Sequence, residues 1–387
     1  MMKIMEVLVM KKCLILLLLS LVLPGCLFSC TEKAPQSTAS PSPVPLPSFT
    51  EEKGPRDTVL RFASSGIFYK SFGRTFVSEE GLHVNFGGNG LEFSAHLSGD
   101  VYLTYSGEVK TYFQIEVDGS AGERIVTEVG KNLKICIARG LSEGVHTIRI
   151  IRDTDATKKG ELMALTGIEF FGLPESVSAP PDANLLIEFV GDSITAGKYT
   201  EMQYGQGDAI HKATNSYAYR AAAALNADFS ILARGGCGFF RVSTCPRTIN
   251  QLYPYENGFE ANPKPYTPAR RADVVVVAMG TNDSTANVTE SYQQGIVPFS
   301  TFDDALKDLI GQIRATHGED VKIVLMYNMM SSSWETQFKR VAASENTFIL
   351  KVTRNREGGN NHPSTEGHRV IAEELCRYLR ETVLTNP

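Results

Sequence analysis

The chain changes texture once, and that change limits what it can fold into. Between residues 57 and 172, apolar side chains recur at every second position. Leu82, Val84 and Phe86 alternate with His83 and Asn85, and Val101, Leu103 and Tyr105 with Tyr102 and Thr104. Phe113, Ile115 and Val117 run into the turn Asp118-Gly119, and Ile148 and Ile150 repeat the pattern. Short alternating runs broken by Gly and Asn predict an antiparallel β-sandwich, jelly-roll-like. Beyond residue 185 the alternation gives way to continuous apolar runs at 186–190, 229–233, 274–278, 323–327 and 348–352. Helix-period stretches at 216–225, 302–316, 334–344 and 364–382 separate or follow them. Apolar strands alternating with amphipathic helices predict an α/β domain whose five-stranded parallel sheet is covered on both faces. In such sheets the chemistry sits beyond the carboxyl ends of the strands.

The N-terminal stretch reads differently. Lys11 and Lys12 precede an apolar run, Cys13 to Leu23, of signal-core length and too short to span a bilayer. Leu23-Pro24-Gly25-Cys26 follows and resembles a bacterial lipobox, whose cysteine becomes the lipidated N-terminus. Residues 1–25 are expected to be a lipoprotein signal peptide and 26–56 a Pro/Ser/Thr-rich tether, too polar to order itself. The sandwich then spans 57–172, a Pro-containing linker 173–184 and the parallel-sheet domain 185–387. The expected protein is an exported lipoprotein, anchored in a membrane by its lipid, at the cell surface or facing the periplasm. A monomer is expected.

Formal net charge is −5 with no Lys/Arg run in the body of the chain, which argues against a general nucleic-acid binder. The seven cysteines form no C-x-x-C pair, against a zinc ribbon or thioredoxin-type site. No G-x-G-x-x-G or P-loop string supports a nucleotide cofactor. Export permits disulfides, and Cys237 and Cys245 are the candidate pair; the sequence does not decide between a bridge and two thiols.

Chemistry-bearing residues follow the apolar runs. The first run ends in Gly191-Asp192-Ser193-Ile194-Thr195-Ala196-Gly197, placing a serine on a glycine-flanked turn at the crevice. Serine is a weak nucleophile until a base takes its proton, and Ser193 is equally suited to cap a helix. Of seven histidines, His362 stands between the last apolar run and the last helix, in Asn360-Asn361-His362-Pro363-Ser364. His83, His96 and His146 lie on alternating strands, where a solvent-facing place is expected. His317 ends a helix, where its charge would suit the dipole, His211 lies in a polar loop, and His368 reads as structural. Arg234-Gly235-Gly236-Cys237-Gly238 follows the second run and Gly280-Thr281-Asn282-Asp283 the third. Glycine lets a backbone N–H approach a ligand closely, and an Asn amide can donate to an oxyanion. The sole tryptophan, Trp334, follows the fourth run and suits either a sugar-stacking role or core packing.

Ser, Gly, Asn and His after successive strand-like runs, with G-D-S-I-T and G-T-N-D intact, resemble the SGNH (GDSL-like) hydrolases. A preceding sandwich, I-E-F-V-G-D-S-I-T-A-G, Y-A-Y-R-A-A-A-A-L-N-A-D and L-S-E-G-V-H-T-I-R-I-I extend the resemblance to carbohydrate esterase family two, the acetylxylan esterase type, over roughly residues 57–382. That resemblance implies Ser193 as nucleophile, His362 as general base, and an oxyanion hole of Ser193 N–H, Gly236 N–H and Asn282. Gly235 and Gly238 are alternatives to Gly236. Asp192 and Asp283 become turn-holding residues. Many SGNH enzymes place an Asp three residues before the His, but that position here is Gly359, and Glu357 lies further back. Some members of the resembled family use a Ser–His dyad, so His362 is expected to be oriented by a main-chain carbonyl or by the Asn360 side chain.

The implied reaction is removal of O-acetyl groups from plant-type polysaccharides or their oligosaccharides through an acetyl-enzyme, with no cofactor and no metal. The alternatives are another esterase class (lipase, thioesterase or peptidoglycan O-acetyl esterase) or a non-catalytic, surface-tethered glycan-binding lipoprotein.

Overall fold

The computed structural model describes residues 58–62, 68–155, 162–201, 211–284 and 299–385. The expected signal peptide, Cys26 and the tether lie outside the described residues.

Among the described residues, nine antiparallel strands fill the first part: β1 (Thr58–Arg61), β2 (Lys70–Phe72), β3 (Thr75–Ser78), β4 (Gly81–Val84), β5 (Gly90–Gly107), β6 (Tyr112–Val117), β7 (Ser120–Val126), β8 (Gly130–Arg152) and β9 (Met163–Gly172). They form one sheet in the order β3-β4-β9-β5-β8-β6-β7, with β1 on β9 and β2 on β5. The long strands β5 and β8 pair along most of their length, with register shifts near Leu97, Gly99 and Val101. Bulges of this kind raise local twist and bend a strand. The sheet therefore curls around one core, in which Leu91, Phe93, Leu103, Phe113, Ile115, Ile148, Ile150 and Ile168 are fully buried.

Period two holds less well at β4. All four of its residues are buried, and Asn85 just beyond it as well. The expected solvent-facing place fails for His83, which is 2% exposed. Its ring stacks on Phe76 at 4.4 Å, and its Nε2 lies 2.8 Å from Ser78 Oγ. The second face of β4 is covered by the rest of the molecule, so alternation there does not report solvent.

The second part is the expected parallel sheet: β10 (Leu186–Gly191), β11 (Asp228–Ala233), β12 (Val274–Ala278), β13 (Lys322–Tyr327) and β14 (Phe348–Lys351). The order is β11-β10-β12-β13-β14, every pair parallel. Apolar clusters cover both faces, with Val190, Val275, Val277 and Leu325 in one and Phe189, Val274, Val276 and Val324 in the other. The covering helices are α1 (Tyr217–Ala224), α2 (Ile249–Leu252), α3 (Phe302–His317), α4 (Glu335–Ser344) and α5 (Thr365–Tyr378). Ser216, Thr301 and Ser364 cap α1, α3 and α5, each accepting a backbone N–H from within the first turn.

The order has one consequence for function. The chain leaves β10 to pair on one side with β11 and on the other with β12. The order in which successive strands are added reverses there, between β10 and β12, which opens a crevice at their carboxyl ends. The segments that follow β10, β11 and β12 carry Ser193, Gly236 and Asn282 to that crevice edge.

The first part is built into the second. Phe86 packs in one cluster of the parallel sheet, and Phe72 and Ile151 in the other. Arg74, fully buried, reaches Glu188 on β10 at 3.3 Å and donates to the Tyr253 carbonyl.

Candidate active site

Gly191 closes β10 where no side chain fits, since a Cβ there would overlap Thr195 Oγ1. The turn after it is held from inside. Ile194 N–H donates to Asp192 Oδ1 at 3.0 Å, Ala196 N–H to Asp192 O at 3.0 Å and Lys198 N–H to Ser193 O at 2.9 Å. This leaves Ser193 at the rim, with Oγ 2.7 Å from His362 Nε2 although 169 positions separate them in sequence.

His362 reaches that point through backbone bonds. Gly359 N–H donates to Tyr199 O at 2.8 Å, Gly358 N–H to His362 O at 2.8 Å and Thr365 N–H to Thr200 O at 2.9 Å. The imidazole segment is thus bonded to residues just downstream of the serine turn. Asn360 and Asn361 have φ of 50° and 58°, a left-handed conformation that Asn adopts more readily than most residues. It turns the Asn360 carbonyl to His362 Nδ1 at 3.1 Å. A carbonyl only accepts, so Nδ1 carries the proton and Nε2 presents its lone pair to the serine hydroxyl. Of the two expected orienting groups, the main-chain carbonyl is the one in place. The Tyr199 ring packs on the imidazole at 4.9 Å. Burial lowers the affinity of His362 for a second proton; the Asn360 carbonyl opposes this and the Lys198 charge adds to it.

The glycine run separates two of its three candidates, Gly235 and Gly236. Gly235 N–H is engaged by Asp155 Oδ2 at 3.2 Å. Among the described residues, the N–H groups of Gly236 and Ser193 donate to no protein acceptor. Gly236 has φ of +82°, and a Cβ there would overlap Thr244 Oγ1. Asn282 is 8% exposed; its Nδ2 donates to Cys237 O at 2.7 Å and, at 3.4 Å, to Asp192 Oδ2. The Cys237 carbonyl can only accept, which fixes which end of the amide is which, and Ser243 Oγ then donates to Asn282 Oδ1 at 3.1 Å. Cys237 and Cys245 are joined in a disulfide, so the loop carrying Ser243 is closed next to the glycine run.

Two buried carboxylates hold these loops. Asp283 accepts the N–H groups of Phe239, Phe240 and Arg241 at 3.1–3.2 Å. Burial raises its pKa to about 6 against those donors, and burial raises Asp192 to about 7. Neither contacts His362, in keeping with turn-holding roles.

Two of the other histidines, His317 and His368, serve elsewhere. His317 is not a charged helix end. Its Nδ1 accepts Ala272 N–H at 3.1 Å, so the ring is neutral, and Nε2 meets Glu188 at 3.0 Å. His368, fully buried, accepts Tyr217 N–H at 3.1 Å, and burial lowers its pKa to about 3. Trp334 is half-buried, stacked on Phe302 at 4.6 Å and edge-on to Phe240 at 5.8 Å. Its packing role is met. Sequence reasoning missed Tyr199 and Asp155, neither of which stands in a recognisable block.

Comparison with known proteins agrees with this arrangement. Residues 189–370 match the GDSL-like lipase/acylhydrolase family, and residues 71–175 the carbohydrate esterase 2 N-terminal domain. The cellulase/esterase CelE of Acetivibrio thermocellus is 28% identical over 341 residues, covering 81% of this chain. The chain spans only 39% of that relative's length. An acetyl xylan esterase, Est2A, from the rumen bacterium Butyrivibrio proteoclasticus superposes with TM-score 0.72 at 18% identity, covering 84% of this chain and 99% of the other. A family two carbohydrate esterase from Clostridium thermocellum in complex with cellohexaose gives 0.68 at 22% identity, covering 81% and 99%. Residues 189–370 are thus a GDSL-like lipase/acylhydrolase domain, set behind a carbohydrate esterase 2 N-terminal domain at residues 71–175.

Proposed function

We propose that the protein is a serine esterase that removes O-acetyl groups from plant-type polysaccharides or their oligosaccharides through a Ser193–His362 dyad. The observation that carries this reading is the 2.7 Å contact between Ser193 Oγ and His362 Nε2, with Nδ1 held by the Asn360 carbonyl. Ser193 Oγ attacks the acetyl carbonyl carbon while its proton passes to Nε2. The tetrahedral oxyanion accepts from Ser193 N–H, Gly236 N–H and Asn282 Nδ2. The carbon–oxygen bond to the sugar then breaks, and the sugar oxygen takes the proton from His362. Water clears the acetyl-enzyme by the same route.

The carbohydrate substrate is supported by the N-terminal domain match, the cellulase/esterase relative and the cellohexaose held by a protein of the same fold. Asn360 O takes the place of the third triad member. It fixes the tautomer but lacks the full charge that would stabilise an imidazolium.

The test is acetate release from acetylated xylan or glucomannan against hydrolysis of long-chain p-nitrophenyl esters, with Ser193→Ala as control. Preference for the long chain sinks the carbohydrate reading, and failure of an organophosphonate to label Ser193 sinks the enzymatic one. The lipobox-like Leu23-Pro24-Gly25-Cys26 supports export and a lipid anchor at Cys26. Incorporation of labelled fatty acid that Cys26→Ala does not abolish argues against that site. Gel filtration tests the expected monomer.

A further inference from the structure

Asp155 comes from the N-terminal sheet, three residues past the end of β8, yet its carboxylate lies inside the parallel-sheet part. The segment that brings it there is anchored just before. Asp153 O accepts Ala213 N–H at 3.2 Å, and Asp153 Oδ1 accepts both the N–H and the hydroxyl of Thr214 at 2.9 Å. Asp155 Oδ2 then gathers three donors: Arg234 Nη1 at 2.6 Å, Lys198 Nζ at 2.8 Å and Gly235 N–H at 3.2 Å. The Asp155 and Arg234 side chains are 5% and 2% exposed, and that of Lys198 is 18% exposed.

Each donor belongs to a working part of the site. Lys198 ends the nucleophile turn, and its N–H holds the Ser193 carbonyl. Arg234 and Gly235 lead into Gly236, whose N–H is one of the oxyanion donors assigned above. Lys198 also lies over Gly235, where an added Cβ would sit 2.7 Å from Nζ. One oxygen therefore spans the two loops whose separation sets the distance from Ser193 Oγ to the oxyanion hole. It also offsets two cations, the buried Arg234 and the half-buried Lys198, the second of which acts on His362. Burial alone would raise the Asp155 pKa, but Lys198 and Arg234 bring it down to about 2, so the carboxylate is ionised at working pH.

We propose that Asp155 is a positioning residue for the reaction, supplied by the N-terminal domain, which sets the Ser193 turn and the Gly236 N–H at their working separation. The proposal rests on the reading of Ser193 as nucleophile and deepens it: the N-terminal sheet completes the catalytic apparatus as well as standing beside it.

The experiment uses the full chain with Asp155→Asn, Asp155→Glu, Lys198→Met and the double variant Asp155→Asn/Lys198→Met. Each is titrated with an organophosphonate to count competent Ser193, and kcat and KM on 4-nitrophenyl acetate are expressed per titrated site. A misplacement of about 1 Å costs about 10²-fold in rate. Asp155→Asn is therefore expected to lose on the order of 10²-fold in kcat with KM little changed, and Asp155→Glu about tenfold. Removing the stranded ammonium in the double variant is expected to recover part of the loss. A merely structural carboxylate would lower the number of titrated sites and the melting temperature while kcat per site stayed at the wild-type value; that result overturns the proposal. If Asp155→Asn does not fold, Asp155→Glu carries the test, and wild-type kcat per site there overturns it equally. A wild-type protein that neither labels nor hydrolyses acetyl esters overturns the Ser193 reading itself, a result separate from any effect at Asp155.

Discussion

Replacement of Asn360 tests whether a carbonyl stands where a carboxylate would complete a triad. Two features are separable at this residue: its carbonyl, which accepts His362 Nδ1–H at 3.1 Å, and its side chain, which the dyad does not use. The carbonyl points inward because Asn360 sits at φ 50°, ψ 38°. Glycine enters that region without penalty, whereas ordinary L residues pay about 1–2 kcal/mol and β-branched ones more. Asn360→Gly should therefore keep kcat within about threefold of wild type. Asn360→Val should lose at least about tenfold, because 1.36 kcal/mol is a factor of ten in rate. The acid limb of kcat/KM reports His362 in the free enzyme and is expected below the ordinary histidine value, since burial and the Lys198 charge outweigh the carbonyl. Withdrawal of the carbonyl in Asn360→Val moves that limb to still lower pH; Asn360→Gly leaves it in place. The assay is a pH series on 4-nitrophenyl acetate with melting temperatures alongside. A loss of 10²-fold or more in Asn360→Gly, with the protein folded, would mean that the side chain orients the imidazole and the reasoning fails.

Asn282→Ala should lower kcat by about 10²–10³ with KM nearly constant, because an oxyanion donor acts in the transition state; an effect confined to KM contradicts that role. Reduction of the Cys237–Cys245 bridge, or Cys245→Ser, should lower kcat measurably, because Cys237 O holds the Asn282 amide and Ser243 on the closed loop holds its other end; unchanged kcat after complete reduction shows that the loop needs no bridge. Glu188→Gln should cost about 3–5 kcal/mol by leaving Arg74 buried without a counter-charge. Although burial alone would raise the Glu188 pKa, Arg74 and His317 lower it to about 2 in the fold, so the stability it contributes is present above about 4.5 and lost as pH falls toward 2. Urea melts of wild type and variant across that range should converge at the acid end.

The parallel-sheet part was legible because its strands are apolar on both faces and its reactive residues follow them directly: Ser193 after β10, the glycine run after β11, Asn282 after β12 and His362 after β14. Strand order was not legible, since register between distant strands leaves no local mark. His83 and His317 were misread for one reason. Both lie in locally unremarkable positions whose surroundings come from outside their own segment: Phe76 on the neighbouring strand and the covering of β4 for the first, Glu188, 129 positions away, for the second. A signal did exist for the latter. Glu188 is the single charge in the run L-I-E-F-V, and a carboxylate in a strand buried on both faces requires partners. The fold supplies Arg74, Tyr253 and His317. Asp155 had no such marker, because R-D-T-D after a strand reads as an ordinary polar turn.

Those partners also decide whether the catalytic part can stand alone. A fragment starting at residue 185 keeps every group of the dyad and oxyanion hole, and on motif grounds it should fold and work. It lacks Arg74, so Glu188 becomes a buried carboxylate short of its cation, a loss of about 3–5 kcal/mol. It lacks Phe72, Phe86 and Ile151, which fill the two apolar clusters of the sheet, each worth about 1.5–3 kcal/mol when buried. It also lacks Asp153 and Asp155, whose loss frees the start of α1 and strands Arg234 and Lys198. The total is on the order of 10 kcal/mol, the size of the whole stability of a typical domain, about 5–15 kcal/mol. The fragment is therefore expected to be insoluble or without a cooperative melt, and co-expression of residues 58–184 as a separate chain to restore it. A soluble fragment that melts cooperatively and labels with phosphonate at the wild-type rate would show that the N-terminal sheet is an accessory, with its buried contacts worth far less than their area and charge imply.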